Sequence, residues 1–76
     1  MIELIEFVVK ALVDDPASIE IKEVVGDKIT IFELRAAKSD IGKIIGKKGR
    51  TASAIRTIMN AVSARQGKRA VLEIIE

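Results

Sequence analysis

The stretch Asp40-Ile41-Gly42-Lys43-Ile44-Ile45-Gly46-Lys47-Lys48-Gly49-Arg50-Thr51 decides how this chain is read. At its centre two glycines bracket two lysines. Ser39 or Asp40 is placed to cap a short helix through Gly42, Ile44 and Ile45, because a side-chain oxygen there satisfies orphan backbone N–H groups. Gly46 stops that helix after roughly two turns and permits a left-handed ending. Gly49 leaves the backbone bare of a Cβ where a ligand would approach. The helix that starts near Arg50 offers unpaired N–H groups and the positive end of its dipole to the same spot. Lys47 and Lys48 add two flexible point charges, and Lys43 and Arg50 extend the charge on either side. A phosphodiester backbone is the anion that suits a basic run of this length.

Charge along the rest of the chain sharpens that reading. Residues 1–34 hold three basic side chains against eight acidic ones, whereas residues 35–69 hold ten basic side chains against Asp40 alone. The formal net charge of +2 therefore hides an acidic first half and a strongly basic centre. Such a split points to a polyanion held on one side of the molecule.

Upstream of the quoted stretch, Leu4, Ile5, Val8 and Leu12, with Phe7 and Ala11, recur at helical spacing, and Glu3, Glu6 and Lys10 take the other side. Pro16 disfavours helical geometry at Asp15, which sets the stop. Ile19, Ile21 and Val24-Val25, then Gly26-Asp27, then residues 28–36 with Ile29, Ile31, Phe32 and Leu34, read as a β-hairpin whose glycine supplies a positive φ. The alternation slips between Ile31 and Phe32, which predicts a bulge or a strand packed on both faces. Downstream, residues 50–66 place Ile55, Ile58, Met59 and Val62 on one helical stripe opposite Ser53, Thr57, Asn60 and Ala64, and Gly67 closes the helix at C′. Residues 70–75 are apolar and bounded by charge, a strand by length and composition.

The predicted order is helix, strand, strand, short helix, long helix, strand. Two helices between the second and third strands make a crossover long enough for those strands to run parallel, with the helices on one face. The 76 residues suit one small α+β domain over residues 1–76, with too modest a core for a deep catalytic cleft. Cysteine and histidine are both absent, so no disulfide framework, no zinc site and no other cofactor site is expected. No apolar run approaches the length of a membrane span, and the first residues lack the basic opening of a signal peptide, so the expected compartment is the cytoplasm.

The run from Asp40 to Thr51, set between a short helix and a long one, resembles the signature loop of KH domains. The element order is similar to the type II, prokaryotic arrangement, and the likeness covers essentially the whole chain. It is strongest to the small bacterial single-KH RNA-binding proteins of the KhpA, or YlqC-like, family. That resemblance implies a type II KH fold, α-β-β-α-α-β, with a three-stranded mixed sheet and three helices packed on one face. It also implies that about four nucleotides of a single strand lie in a groove, clamped by the GXXG loop. On the same carry-over Gly46, Lys47, Lys48 and Gly49 hold phosphates, while Ile41, Ile44 and Ile45 floor the groove. Arg50 and the helix flank near Ser53 and Ala54 form one wall, with the second strand near Phe32 and Arg35 opposite. The implied partners are single-stranded RNA, with single-stranded DNA as an alternative, and a second KH protein in a homodimer or heterodimer. The implied role is that of a small RNA chaperone or post-transcriptional regulator. Ala52 departs from the pattern, since many KH domains carry a larger aliphatic residue there.

Rival readings are weaker on chemical grounds. Gly42, Gly46 and Lys47 imitate a nucleotide-binding P-loop, but the glycines stand one residue too close and Lys48 replaces the metal-binding hydroxyl. A helix-turn-helix DNA reader fits two helices joined at a glycine-containing turn, yet the charge peaks at the turn, and only Arg56 and Asn60 suit base edges. A protein-interaction module using Leu4, Phe7 and Val8 is the third alternative. Without His or Cys, catalysis would fall to carboxylates, and the basic half has only Asp40, so no enzyme is expected. Phe7 and Phe32 are the only aromatic residues, which excludes base-stacking platforms of the RRM type.

Overall fold

A computed structural model describes all residues, 1–76. Helix α1 (Ile2–Leu12) forms because Ile5 and Val9, one turn apart, are both fully buried. The expected inward stripe is thus rotated: Phe7 is 76% exposed, and Leu4 and Leu12 lie at the margin. The helix ends one turn before Pro16, where Val13 goes extended (φ −95°, ψ 160°). A short 3-10 turn over Pro16–Ser18 leads into strand β1 (Glu20–Val25).

Strand β2 (Ile29–Arg35) pairs antiparallel with β1 and parallel with β3 (Arg69–Ile75), so the sheet order is β1-β2-β3 with β2 central. Both ladders run in continuous register, and the bulge expected at Ile31 is absent. Instead Thr30, Phe32 and Leu34 all turn inward with period two, and the apparent slip arises because Thr30 holds a core position while Ile29 and Ile31 lie on the other face. The hairpin turns on Asp27 and Lys28, closed by Gly26 N–H donating to Ile29 O at 2.8 Å. Gly26 does not have the positive φ expected of it. It is needed for space, since a Cβ there would lie 2.7 Å from Ile29 O.

After β2 the chain makes a 3-10 turn over Lys38–Asp40, the short helix α2 (Ile41–Ile45), the glycine-lysine turn and the long helix α3 (Arg50–Ala64). This is the predicted crossover. The buried stripe of α3 is Ala52, Ile55, Met59 and Ser63, while Ile58 and Val62 are 48% and 39% exposed. Small residues at both ends of the stripe let the helix approach its neighbours closely, which leaves the larger Ile58 and Val62 outside. Gly67, with φ +68°, closes α3 in a Schellman arrangement: Lys68 N–H donates to Ser63 O at 3.2 Å and Gly67 N–H to Ala64 O at 3.1 Å. Arg56 reaches out of α3 to donate to Leu72 O at 3.2 Å on β3.

The core joins Ile5, Val9, Phe32, Leu34, Ile44, Ile55, Met59, Ala70 and Leu72. Every helix contributes to it and all three cover one face of the sheet, the α+β arrangement of a type II KH fold. On the other face the register sets Val24, Ile31 and Val71 side by side without a covering layer.

Candidate nucleic-acid interface

Gly46 ends α2 with φ +78° and ψ 170°, a backbone region open only to glycine and distinct from the left-handed helical ending expected. Its N–H still closes the helix by donating to Gly42 O at 2.9 Å. The chain then folds back at once, with Gly49 N–H donating to Gly46 O at 3.1 Å. Lys48 (φ 58°, ψ 28°) and Gly49 (φ 72°, ψ 12°) are consecutive left-handed residues, and Lys48 is the one non-glycine residue of the chain with positive φ. The strained turn drives both lysines outward: Lys47, Lys48 and Arg50 are exposed. Nothing lies within 4 Å of the Cβ position at Gly49, so backbone there is open to an incoming group.

Gly49 is also the N-cap of α3, which has neither a side-chain cap nor an acidic residue in its first turn. Arg50 N–H, the first of the helix, donates to Lys47 O within the turn, so the turn itself closes the helix start, and the positive end of the helix dipole meets the two lysines. Ser53 and Ala54 are exposed within the first turn and a half of α3, close to this corner. Neither surface depression of the molecule is at the turn. One lies between the hairpin and the C-terminal end of α3, near Thr30, Ser63 and Lys68, and the other over Ile58, Ala61, Val62 and Arg65.

Three residues expected at the site are placed otherwise. Ile44 has no exposed surface and Ile41 only 5%, so they hold α2 on the core rather than floor a groove; Ile45, 37% exposed, is the aliphatic residue left on the surface. Arg35 ends β2, and the alternation that turns Leu34 inward turns Arg35 to the sheet face away from the helices, in register with Glu20 and Ile75. Lys43 lies in the last turn of α2, but its ammonium is already engaged, hydrogen-bonded to Asp14 and 3.5 Å from Asp40 Oδ1.

Asp40 explains that engagement. It was expected to cap α2, and no such hydrogen bond forms. Its side chain is buried, 1% exposed, and accepts the backbone N–H groups of Asp14 (3.1 Å) and Asp15 (3.0 Å), tying the exit of α1 to the start of α2. The N–H of Asp14 is the main influence holding the Asp40 carboxyl below the ordinary aspartate range; burial opposes it, and Asp15 and Lys43 reinforce it. Lys43 is raised in turn, chiefly by its hydrogen bond to Asp14. The sequence signal was present in Asp40 as the lone acid of a basic run, but its partners lie 25 and 26 residues away.

The profile of the family described as KhpA/KhpB, KH domain matches residues 2–74. Among curated proteins the chain is similar to RNA-binding protein KhpA of Borreliella burgdorferi, with 51% identity over 75 residues, 99% of this chain and 92% of that protein. It is likewise similar to RNA-binding protein KhpA of Chlamydia pneumoniae, 51% identical over 76 residues (100% of this chain and 97% of that protein), and of Clostridium perfringens, 45% identical over 75 residues (99% and 100%). No solved structure matches the chain.

Proposed function

The chain belongs to the KhpA/KhpB family of KH domains, and from that membership we propose that it binds single-stranded RNA through the turn at residues 46–49, acting as one KH domain over residues 1–76. The observation that carries this is the outward pair Lys47 and Lys48 set at a helix start without a side-chain cap, beside the bare backbone of Gly49. Phosphates meet two ammonium groups and the positive end of the α3 dipole together, and Arg50 extends the contact along the strand. Ile45 and the exposed flank of α3 at Ser53 are the surfaces against which bases would lie. With no aromatic platform, sequence preference is weak and affinity is modest and salt-dependent. The protein works without catalysis or cofactor, in the cytoplasm, as an RNA chaperone or post-transcriptional regulator.

Engagement of Arg56 by Leu72 O removes one of the two base-reading side chains that a helix-turn-helix reading required. Self-association, or pairing with a larger KH protein, draws support from the exposed Ile58 and Val62 beside Ala61 and Arg65 on α3. Titration of short single-stranded RNA, single-stranded DNA and duplex DNA, followed by backbone amide NMR, tests the main reading. Single strands should shift residues 45–54 first. Shifts confined to the hairpin or α1 would refute it, and a preference for duplex DNA would restore the helix-turn-helix alternative.

A further inference from the structure

The Lys43 ammonium stands one helical turn before Gly46 within the basic run, and it is 44% exposed, so it is not withheld from ligands by burial. What withholds it is Asp14. That carboxylate comes from the far side of the sequence and is 83% exposed, so packing does not fix it. Its backbone does: the N–H groups of Asp14 and of Asp15 are anchored on the buried Asp40, which sets the Asp14 side chain against Lys43. Asp40 is satisfied by those two N–H groups and needs Lys43 least. Two carboxylates therefore face a single ammonium, and the balance around Lys43 is negative although the surrounding run is basic.

We propose that Asp14 is an affinity-limiting residue of the RNA site, a carboxylate that occupies Lys43 in place of a phosphate. The proposal rests on the RNA-binding reading above. An exposed ion pair of this kind is weak and screened by salt, so a phosphodiester can compete for the ammonium, but only by displacing Asp14. Lysine carries three donors on one nitrogen, and loss of Asp14 frees at least one of them while Asp40 Oδ1, 3.5 Å away, still holds the ammonium near. Asp14 and Asp40 thus have opposite roles toward Lys43: one masks its charge, the other positions it.

The test is a double-mutant cycle read by binding of a short oligouridylate across a salt series. Asp14→Asn keeps the backbone N–H that Asp40 accepts, and unchanged amide shifts at the core residues Ile55, Met59 and Leu72 establish that the fold is retained. The expected result is binding about threefold to tenfold tighter at low salt, with the slope of log K against log salt steeper by about 0.7, one added phosphate contact on a single strand. In the Lys43→Gln background the same substitution should yield less than half of that gain. No gain from Asp14→Asn, or an equal gain with and without Lys43, would overturn the proposal, the second outcome showing only long-range charge. A Lys47→Asp/Lys48→Asp variant separates this failure from that of the underlying reading: if that variant binds like the parent, the turn is not the RNA site.

Discussion

Thr51 fills the space that any side chain on Gly46 would need. A Cβ built on Gly46 would lie 2.1 Å from Thr51 Oγ1, 2.5 Å from Thr51 Cβ and 2.8 Å from Thr51 N. Gly46→Ala combines this overlap with a φ of +78° that alanine avoids, and should destabilise the fold by about 3 kcal/mol or more in chemical denaturation. Thr51→Ala should not rescue it, because the backbone nitrogen and Cβ of residue 51 stay in the way. Full rescue by that second substitution would show that the hydroxyl alone sets the requirement.

Lys48 separates charge from conformation. Its left-handed backbone is one that asparagine and glycine accept more readily than lysine. Lys48→Asn should leave the melting temperature unchanged or raise it, while weakening RNA binding and reducing the salt slope by about 0.7. Lys48→Val, β-branched, should weaken binding and lower stability together, by about 1–2 kcal/mol.

Acid sensitivity follows from Asp40. Because its folded-state pKa lies below the ordinary value of 3.8, its stabilising contribution is complete above that value and is lost as pH falls through the depressed one. Asp40→Asn should be less stable than the parent at neutral pH, and its stability should fall less steeply below about pH 4. Urea denaturation at a series of pH values compares the two slopes; parallel acid limbs would mean that Asp40 is not the group responsible.

The two neighbouring positions Ile58 and Met59 report which face of α3 is inward. Met59→Ala should cost about 2–5 kcal/mol as a core truncation, and Ile58→Ala under about 1 kcal/mol for the monomer. The contrast is checked by equilibrium unfolding at low protein concentration.

That contrast also marks where sequence reading stopped. Periodicity identified α3 and rightly set Ile55 and Met59 inward, but it added Ile58 and Val62, whereas packing completed the stripe with Ala52 and Ser63. Small residues are silent in a hydrophobic pattern, yet they decide how closely two elements approach. In α1 the expected face was rotated as well: Phe7 was expected inside, and Val9 lies there beside Ile5. Gly46, Gly49 and Gly67 were legible because each interrupts a periodic run, and all three do adopt positive φ. Gly26 was legible as a break, but its cause, the closeness of Ile29 O across the turn, is set by backbone geometry that a hydrophobic pattern does not contain. Element order and the parallel pairing of β2 with β3 followed from the two-helix crossover. The Asp40 anchor did not, because a buried carboxylate and a helix cap look alike until a distant backbone is brought up to meet it.

The parallel pairing of β2 with β3 has a kinetic consequence. The β1–β2 hairpin needs only a short loop to close, an event of about 1–10 μs. β3 cannot join until residues 36–68 have been traversed, and closure of a long loop carries an entropic cost before any contact of β3 repays it. The turn at residues 46–49 stands near the middle of that span. If the helices form before β3 docks, substitutions at Gly46 should slow refolding. If β3 docks first, they should speed unfolding and leave refolding untouched.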